Sequence, residues 1–219
     1  MSLTDAQVAR LITIDTNEAT RSTILRVLAR SRALLTGHFA FHRERHSANA
    51  LRFRGVARDP TFVRDVVEAI IAGAPSSVEH ALAGAKLLAP ESSGSFLGRA
   101  LATRYARPLV VAQTDLRRLP TKALLSGSIQ PNDRVVLVND VASTGASLDV
   151  LRQLVAERGG LAVAVVLFGV IDSAAVTAYC ARWQLPSHWL VTARWETNSP
   201  QVCPGCKAGE PLIPVAEFA

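Results

Sequence analysis

The residues with the most chemistry to offer lie at 134–148, Arg134-Val-Val-Leu-Val-Asn139-Asp140-Val141-Ala142-Ser143-Thr144-Gly145-Ala146-Ser147-Leu148. The apolar run at 135–138 reads as a strand buried on both faces, because parallel central strands are continuously hydrophobic. Asn139 and Asp140 close that strand with short polar side chains, and a turn is expected at once. Ser143, Thr144, Gly145 and Ser147 then stand directly before an apolar-periodic segment. A strand, a small-residue loop and a helix start together aim backbone N–H groups, the positive end of the helix dipole and several hydroxyls at one anion, most naturally a phosphate. The Asp140 carboxylate would repel that phosphate, so it suits sugar hydroxyls or a bound cation.

A second stretch repeats the pattern. A short strand at 86–89 meets the polar loop Pro90-Glu91-Ser92-Ser93-Gly94, and a helix follows with the stripe Phe96, Leu97, Ala100 and Leu101. Next come a strand at 109–112 and a basic stretch at 113–127 that carries Arg118 and Lys122. Near the start, residues 34–47 pass from apolar and aromatic positions into a dense group of His38, Phe39, His42, Arg43, Arg45 and His46. Near the end, Cys203-Pro204-Gly205-Cys206 offers two thiolates. Zinc would need four ligands, for which Cys180 and His188 are the evident additions, and no resident metal is assigned.

The central stretch resembles the signature of type I phosphoribosyltransferases, which bind phosphoribosyl pyrophosphate (PRPP). The resemblance implies that Asn139 and Asp140 face the ribose hydroxyls, with Asn139 standing where the family has Asp or Glu, and that the loop from Val141 and Ala142 through Ser143, Thr144, Gly145, Ala146 and Ser147 holds the 5′-phosphate. By the same resemblance Glu91, Ser92, Ser93 and Gly94 cradle the pyrophosphate. Arg118 and Lys122 fall on a mobile loop that reaches it, often across a dimer interface, and join Asp140 as catalytic candidates. Residues 34–47 are similar to the N-terminal segment of orotate phosphoribosyltransferases, with Gly37, Phe39, His46 and Ser47 in matching places and His42 at the usual lysine. Phe39, His42, Arg45 and Ile171 are the implied acceptor contacts. Ser173 replaces an arginine that pairs with orotate's carboxylate, which argues against orotate. A Cys-x-x-Cys followed by Gly-x-Pro also occurs near the end of some relatives.

These residues need a scaffold, and 219 residues suffice for one domain with a sizeable core. With 49% hydrophobic and 19% charged residues the chain is globular, and its net charge of +6 suits an anionic partner, a phosphorylated substrate or RNA. Three cysteines without disulfide spacing favour a reducing cytoplasm, the start lacks a signal peptide's apolar core, and the run at 161–171 is too short to span a bilayer. The expected fold is α/β, a doubly wound and mainly parallel sheet with N-terminal helices at 1–35 capping it. A phosphoribosyltransferase-like domain then occupies 36–219, with a hood at 36–58 and a small C-terminal lobe at 180–219 packed by Trp183, Trp189 and Trp195. Asp59-Pro60 predicts a helix start whose stripe runs to Gly73. Two functions are expected in turn. The first is phosphoribosyl transfer from PRPP to a small-molecule acceptor in a homodimer, with Mg²⁺ carried by the substrate. The second is a non-catalytic sensor of PRPP or nucleoside monophosphate that binds RNA, favoured by Asn139, the short basic loop and Arg43, Arg45, Arg52, Arg54 and Arg58. A receiver-type phosphoacceptor domain lacks its early acidic cluster.

Overall fold

The computed structural model describes residues 3–31, 33–41, 45–91, 94–116 and 119–214. The chain opens with α1 (Asp5–Leu11), β1 (Ile12–Ile14) and α2 (Glu18–Arg30). Strands β2 (Leu34–Phe41) and β3 (Arg45–Leu51) follow, then α3 (Pro60–Gly73) and α4 (Ser76–Gly84). Next are β4 (Lys86–Pro90), α5 (Gly94–Tyr105), β5 (Leu109–Thr114), β6 (Pro120–Ser126), β7 (Arg134–Ala142) and α6 (Ala146–Ala156). The last elements are β8 (Leu161–Val170), α7 (Ser173–Arg182), β9 (Ser187–Ala193), the one-turn α8 (Pro204–Lys207) and β10 (Ile213–Pro214).

The seven-stranded main sheet has the order β1-β9-β8-β7-β4-β5-β6. Its five inner strands are parallel, and β1 and β6 close the edges antiparallel. Side chains of β7 and β8 alternate between two cores, as the two-residue period of a strand requires. Val136, Val138, Val166 and Phe168 face the core that α2 to α5 cover, while Val135, Leu137, Val165 and Leu167 face Leu148, Leu151 and Leu154 of α6 and Val176 of α7. This doubly wound arrangement is the expected fold class. Asp59 caps α3 as predicted, accepting from the N–H groups of Thr61 and Phe62 with Pro60 at the first helical position.

Several expectations need correction. The N-terminal helices do not merely cap the sheet, because β1 lies between them and pairs with β9; three residues are too few to show a period. Strand β7 does not end at Asn139, since β8 keeps pairing with it through Ala142. Phe96 points outward, 43% exposed, while Leu97 and Leu101 are fully buried. Among the described residues, 180–214 divide between two sheets and do not gather into a lobe of their own. β9 belongs to the main sheet, and the final segment joins the hood as a second sheet of order β10-β2-β3, with β10 parallel to β2. Trp189 accordingly lies on β9, Trp183 ends α7 with the Arg152 guanidinium stacked 3.5 Å over its ring, and Trp195 packs on the main core.

Candidate active site at the carboxyl edge of the main sheet

After β4 the chain moves to β5 on one side, and after β7 it moves to β8 on the other. Adjacent strands whose connections diverge leave a crevice at their carboxyl ends, and ligands of open α/β sheets bind there. Each strand is followed within a few residues by a helix, so the two stretches that the sequence offered to an anion sit side by side.

At the β7 exit Gly145 takes φ +79° and ψ 0°, the left-handed conformation that favours glycine, and caps α6 with no side-chain cap hydrogen bond. The early N–H groups of α6 therefore remain available to a ligand. A Cβ on Gly145 would lie 2.9 Å from Cγ of Tyr179 on α7, so that ring backs the loop. Burial, with the Asp149 carboxylate nearby, pushes the Tyr179 phenol up to about 12 and keeps it neutral. Nothing in the sequence marks Tyr179 as a partner of this loop. Ser143, Ala146 and Ser147 are half-buried and Thr144 is exposed, as a loop open to a ligand requires.

Asn139 and Asp140 divide their work. Asn139 is only 5% exposed, and its Oδ1 accepts the Asp140 N–H at 2.9 Å. It also presses on the neighbouring loop, for a Cβ on Gly94 would lie 2.8 Å from Asn139 Oδ1 and 2.8 Å from Pro90 Cδ. Asn139 thus joins the two loops, and Asp140 is the half-exposed carboxylate of the pair. Val141 is half-exposed and Ala142 buried; the Ala142 carbonyl accepts from the N–H of Ile171, itself buried. Glu91 extends the crevice toward β5, its N–H donating to the Ala112 carbonyl at 2.8 Å and its carboxylate accepting from the Thr114 N–H at 3.4 Å. Ser92 and Ser93 lie outside the described residues.

Lys122 is not brought to this crevice. The stretch read as a mobile loop includes the end of β5 and all of β6, which pair antiparallel, and the Lys122 ammonium forms an ion pair with Glu157 at the far end of α6. The eleven residues of α6 span about 16 Å, which is the scale of the separation from Gly145. The connecting turn is closed by Asp115, whose N–H donates to the Leu119 carbonyl and whose carboxylate accepts the Leu119 N–H, both at 2.9 Å. Arg118, like His42, lies outside the described residues.

Phe39 and Arg45 belong to the second sheet. Phe39 is buried there, and the Arg45 guanidinium is held by the Thr197 hydroxyl and carbonyl. The suggested zinc partners also fall elsewhere. Cys180 is a buried residue of α7, and His188 sits on β9 against Gly73, where burial lowers its pKa. Cys203 and Cys206 instead face His38 and His46, residues that sequence separation had hidden. Backbone N–H groups, that of Cys206 foremost, hold the Cys203 thiol below its ordinary value.

No protein-family model matches the chain. An orotate phosphoribosyltransferase of Novosphingobium aromaticivorans is 30% identical over 142 residues, which cover 64% of this chain and 71% of that protein. The orotate phosphoribosyltransferase of Desulforamulus reducens is 26% identical over 198 residues, 88% of this chain and 95% of the relative. Among solved structures, orotate phosphoribosyltransferase from Aeropyrum pernix shares the fold with a TM-score of 0.61 at 21% identity, over 76% of this chain and 92% of that one. With 30% identity to the Novosphingobium protein over 71% of that protein's length, the chain belongs to the type I phosphoribosyltransferase family of enzymes.

Proposed function

We propose that this protein transfers the phosphoribosyl group of PRPP to a nucleobase or related acceptor other than orotate, releasing pyrophosphate. The observation that carries the reading is the pair of loop–helix junctions at the switch point, joined by the contact of Asn139 with Gly94. The 5′-phosphate sits at the uncapped start of α6, among the N–H groups after Gly145 and the hydroxyls of Ser143, Thr144 and Ser147. Asp140 accepts the ribose hydroxyls, and the start of α5 faces the pyrophosphate. The half-exposed Asp140 carboxylate would suit Mg²⁺ carried in by PRPP and held mostly by substrate phosphates and water, an ion that would offset charge on the pyrophosphate. Displacement at the anomeric carbon develops positive charge on the sugar, which the Asp140 carboxylate stabilises from beside the ring.

Against orotate stands the engagement elsewhere, among the described residues, of the cations expected near the acceptor. A buried carboxylate such as that of orotate needs a charged partner or several hydrogen bonds. Ser173 begins α7, and Asp172 is engaged as its cap, accepting from the Ala175 N–H at 2.9 Å. His38 is committed to the cysteines and Arg45 to Thr197. A second reading, a sensor that binds PRPP without turnover, draws on the Lys122–Glu157 ion pair, which holds a catalytic candidate away from the loops.

The test follows pyrophosphate release from PRPP and Mg²⁺ with orotate, uracil, adenine, guanine and hypoxanthine. Release with one base other than orotate is the expected result. Orotate turnover at kcat/KM of about 10⁴ M⁻¹s⁻¹ or more would overturn the assignment, and tight PRPP binding without release for any base would favour the sensor. Asp140→Ala should weaken PRPP about tenfold or more, the loss of a charge-assisted contact, and leave inorganic phosphate binding at α6 unchanged.

A further inference from the structure

Away from the phosphate loops, four side chains with lone pairs meet where the second sheet touches the C-terminal segment. His38 Nε2 lies 3.3 Å from His46 Nδ1, 3.3 Å from Cys203 Sγ and 3.5 Å from Cys206 Sγ. His46 Nδ1 lies 3.1 Å from Cys206 Sγ, and all four ligand atoms fall within 4.8 Å of one another. Zinc bound tetrahedrally at ordinary bond lengths sets nitrogen–nitrogen edges of about 3.3 Å and nitrogen–sulfur edges of about 3.6 Å. The four separations given above depart from these edges by about half an ångström or less.

We propose that His38, His46, Cys203 and Cys206 form a structural zinc site that clamps the β2–β3 pair to the C-terminal turn.

Three further observations agree. His38 Nδ1 donates to the Glu210 carbonyl at 3.0 Å, which assigns the ring proton and leaves Nε2 bare toward the cluster. A metal-binding histidine is oriented in this way by a carbonyl behind it. One nitrogen lone pair can accept only one good hydrogen bond, yet three polar atoms converge on this one, which a shared cation explains and hydrogen bonding does not. The turn is also shaped to the ring, since a Cβ on Gly205 would lie 2.7 Å from His38 Cγ. Three of the four residues are buried, at 4% exposure for His38, 6% for His46 and 2% for Cys203, so the ion is sheltered. Four protein ligands leave no open position, the mark of a structural site rather than a catalytic one. A two-iron cluster does not fit, because it would set the histidines and cysteines on different metals and spread them farther apart. The proposal does not depend on the phosphoribosyl reading.

The test measures metal in the full chain purified under reducing conditions without added chelator, then exchanges it for cobalt(II). One zinc per chain is expected, with a thiolate-to-cobalt charge-transfer band and intense tetrahedral d–d bands. Cys206→Ser, a change at the surface, should lower the bound zinc at least about tenfold, and Cys180→Ser should not alter it. Removal of the metal should speed hydrogen exchange in β2, β3 and 203–210 while the main sheet stays protected. A Cys203–Cys206 disulfide in the reduced protein, no metal after reconstitution with zinc, or a cobalt spectrum without thiolate character would each overturn the assignment. The wild-type cobalt spectrum reads the site even if a variant fails to fold.

Discussion

The carboxyl edge of the main sheet and the second sheet gather polar groups in opposite ways. At the edge, the polar groups between β7 and α6 are neighbours in sequence, and one left-handed glycine makes the turn. In the second sheet, His38 and His46 meet Cys203 and Cys206 from the other end of the chain. The first arrangement rests on local backbone geometry. The second rests on the whole fold, so a single substitution should damage the two regions differently.

The largest effect is expected at Gly145. Gly145→Val forces a β-branched residue to φ +79° and drives its Cβ into Tyr179, so PRPP and nucleoside monophosphates should lose affinity together by about 100-fold or more, read by titration calorimetry. Bound zinc should not change, and a parallel loss of zinc would show that the regions are not separable. Gly94→Ala comes next. Its Cβ meets Asn139 and Pro90, an overpacking cost of about 1–3 kcal/mol in denaturant unfolding, with weaker PRPP binding alongside.

A smaller effect is expected at Arg45. Its contacts with Thr197 are exposed, so Arg45→Ala should cost about 0.5–1.5 kcal/mol, seen as faster exchange in β3 with phosphate binding intact. The smallest effect belongs to neither region. Asp133 lies at the opposite rim of the main sheet, where a hydrogen bond from Lys86, whose ammonium is 2.7 Å away, and the Gln130 N–H hold its carboxyl below the usual range. A depressed acid stabilises the fold above its unfolded pKa of about 3.9, and the gain is lost as pH falls through the lower folded value. Wild type should therefore lose stability more steeply below about pH 4 than Asp133→Asn does.

The same contrast explains what could be read from the sequence. The β7–α6 junction was legible because a buried strand, small polar residues and an apolar stripe follow one another without interruption. The link between Asn139 and Gly94 was not, since it depends on which strands are neighbours. The basic stretch around Lys122 passed for a loop because β6 is an edge strand with mostly exposed side chains, and no alternation betrays it. Cys203 and Cys206 were visible as a thiolate pair, but the choice of Cys180 and His188 as partners followed nearness in sequence. The actual neighbours were set by β10 pairing with β2.

That pairing has a consequence during synthesis. The second sheet begins with residue 34 and is completed only by residues 213 and 214. His46 must wait through 160 residues (206 − 46) before Cys206 exists, about 8–30 s at ordinary rates of chain growth. Strands β4 and β7 and the helices after them are all made by then, and β7 and β8 can pair while the hairpin ahead of them still lacks its third strand. The hairpin built first is therefore the part finished last. A chain cut short before residue 203 would carry both strand–helix junctions of the main sheet and a hairpin that keeps its contacts with Thr197 and Asn198 but lacks the two cysteines and its third strand.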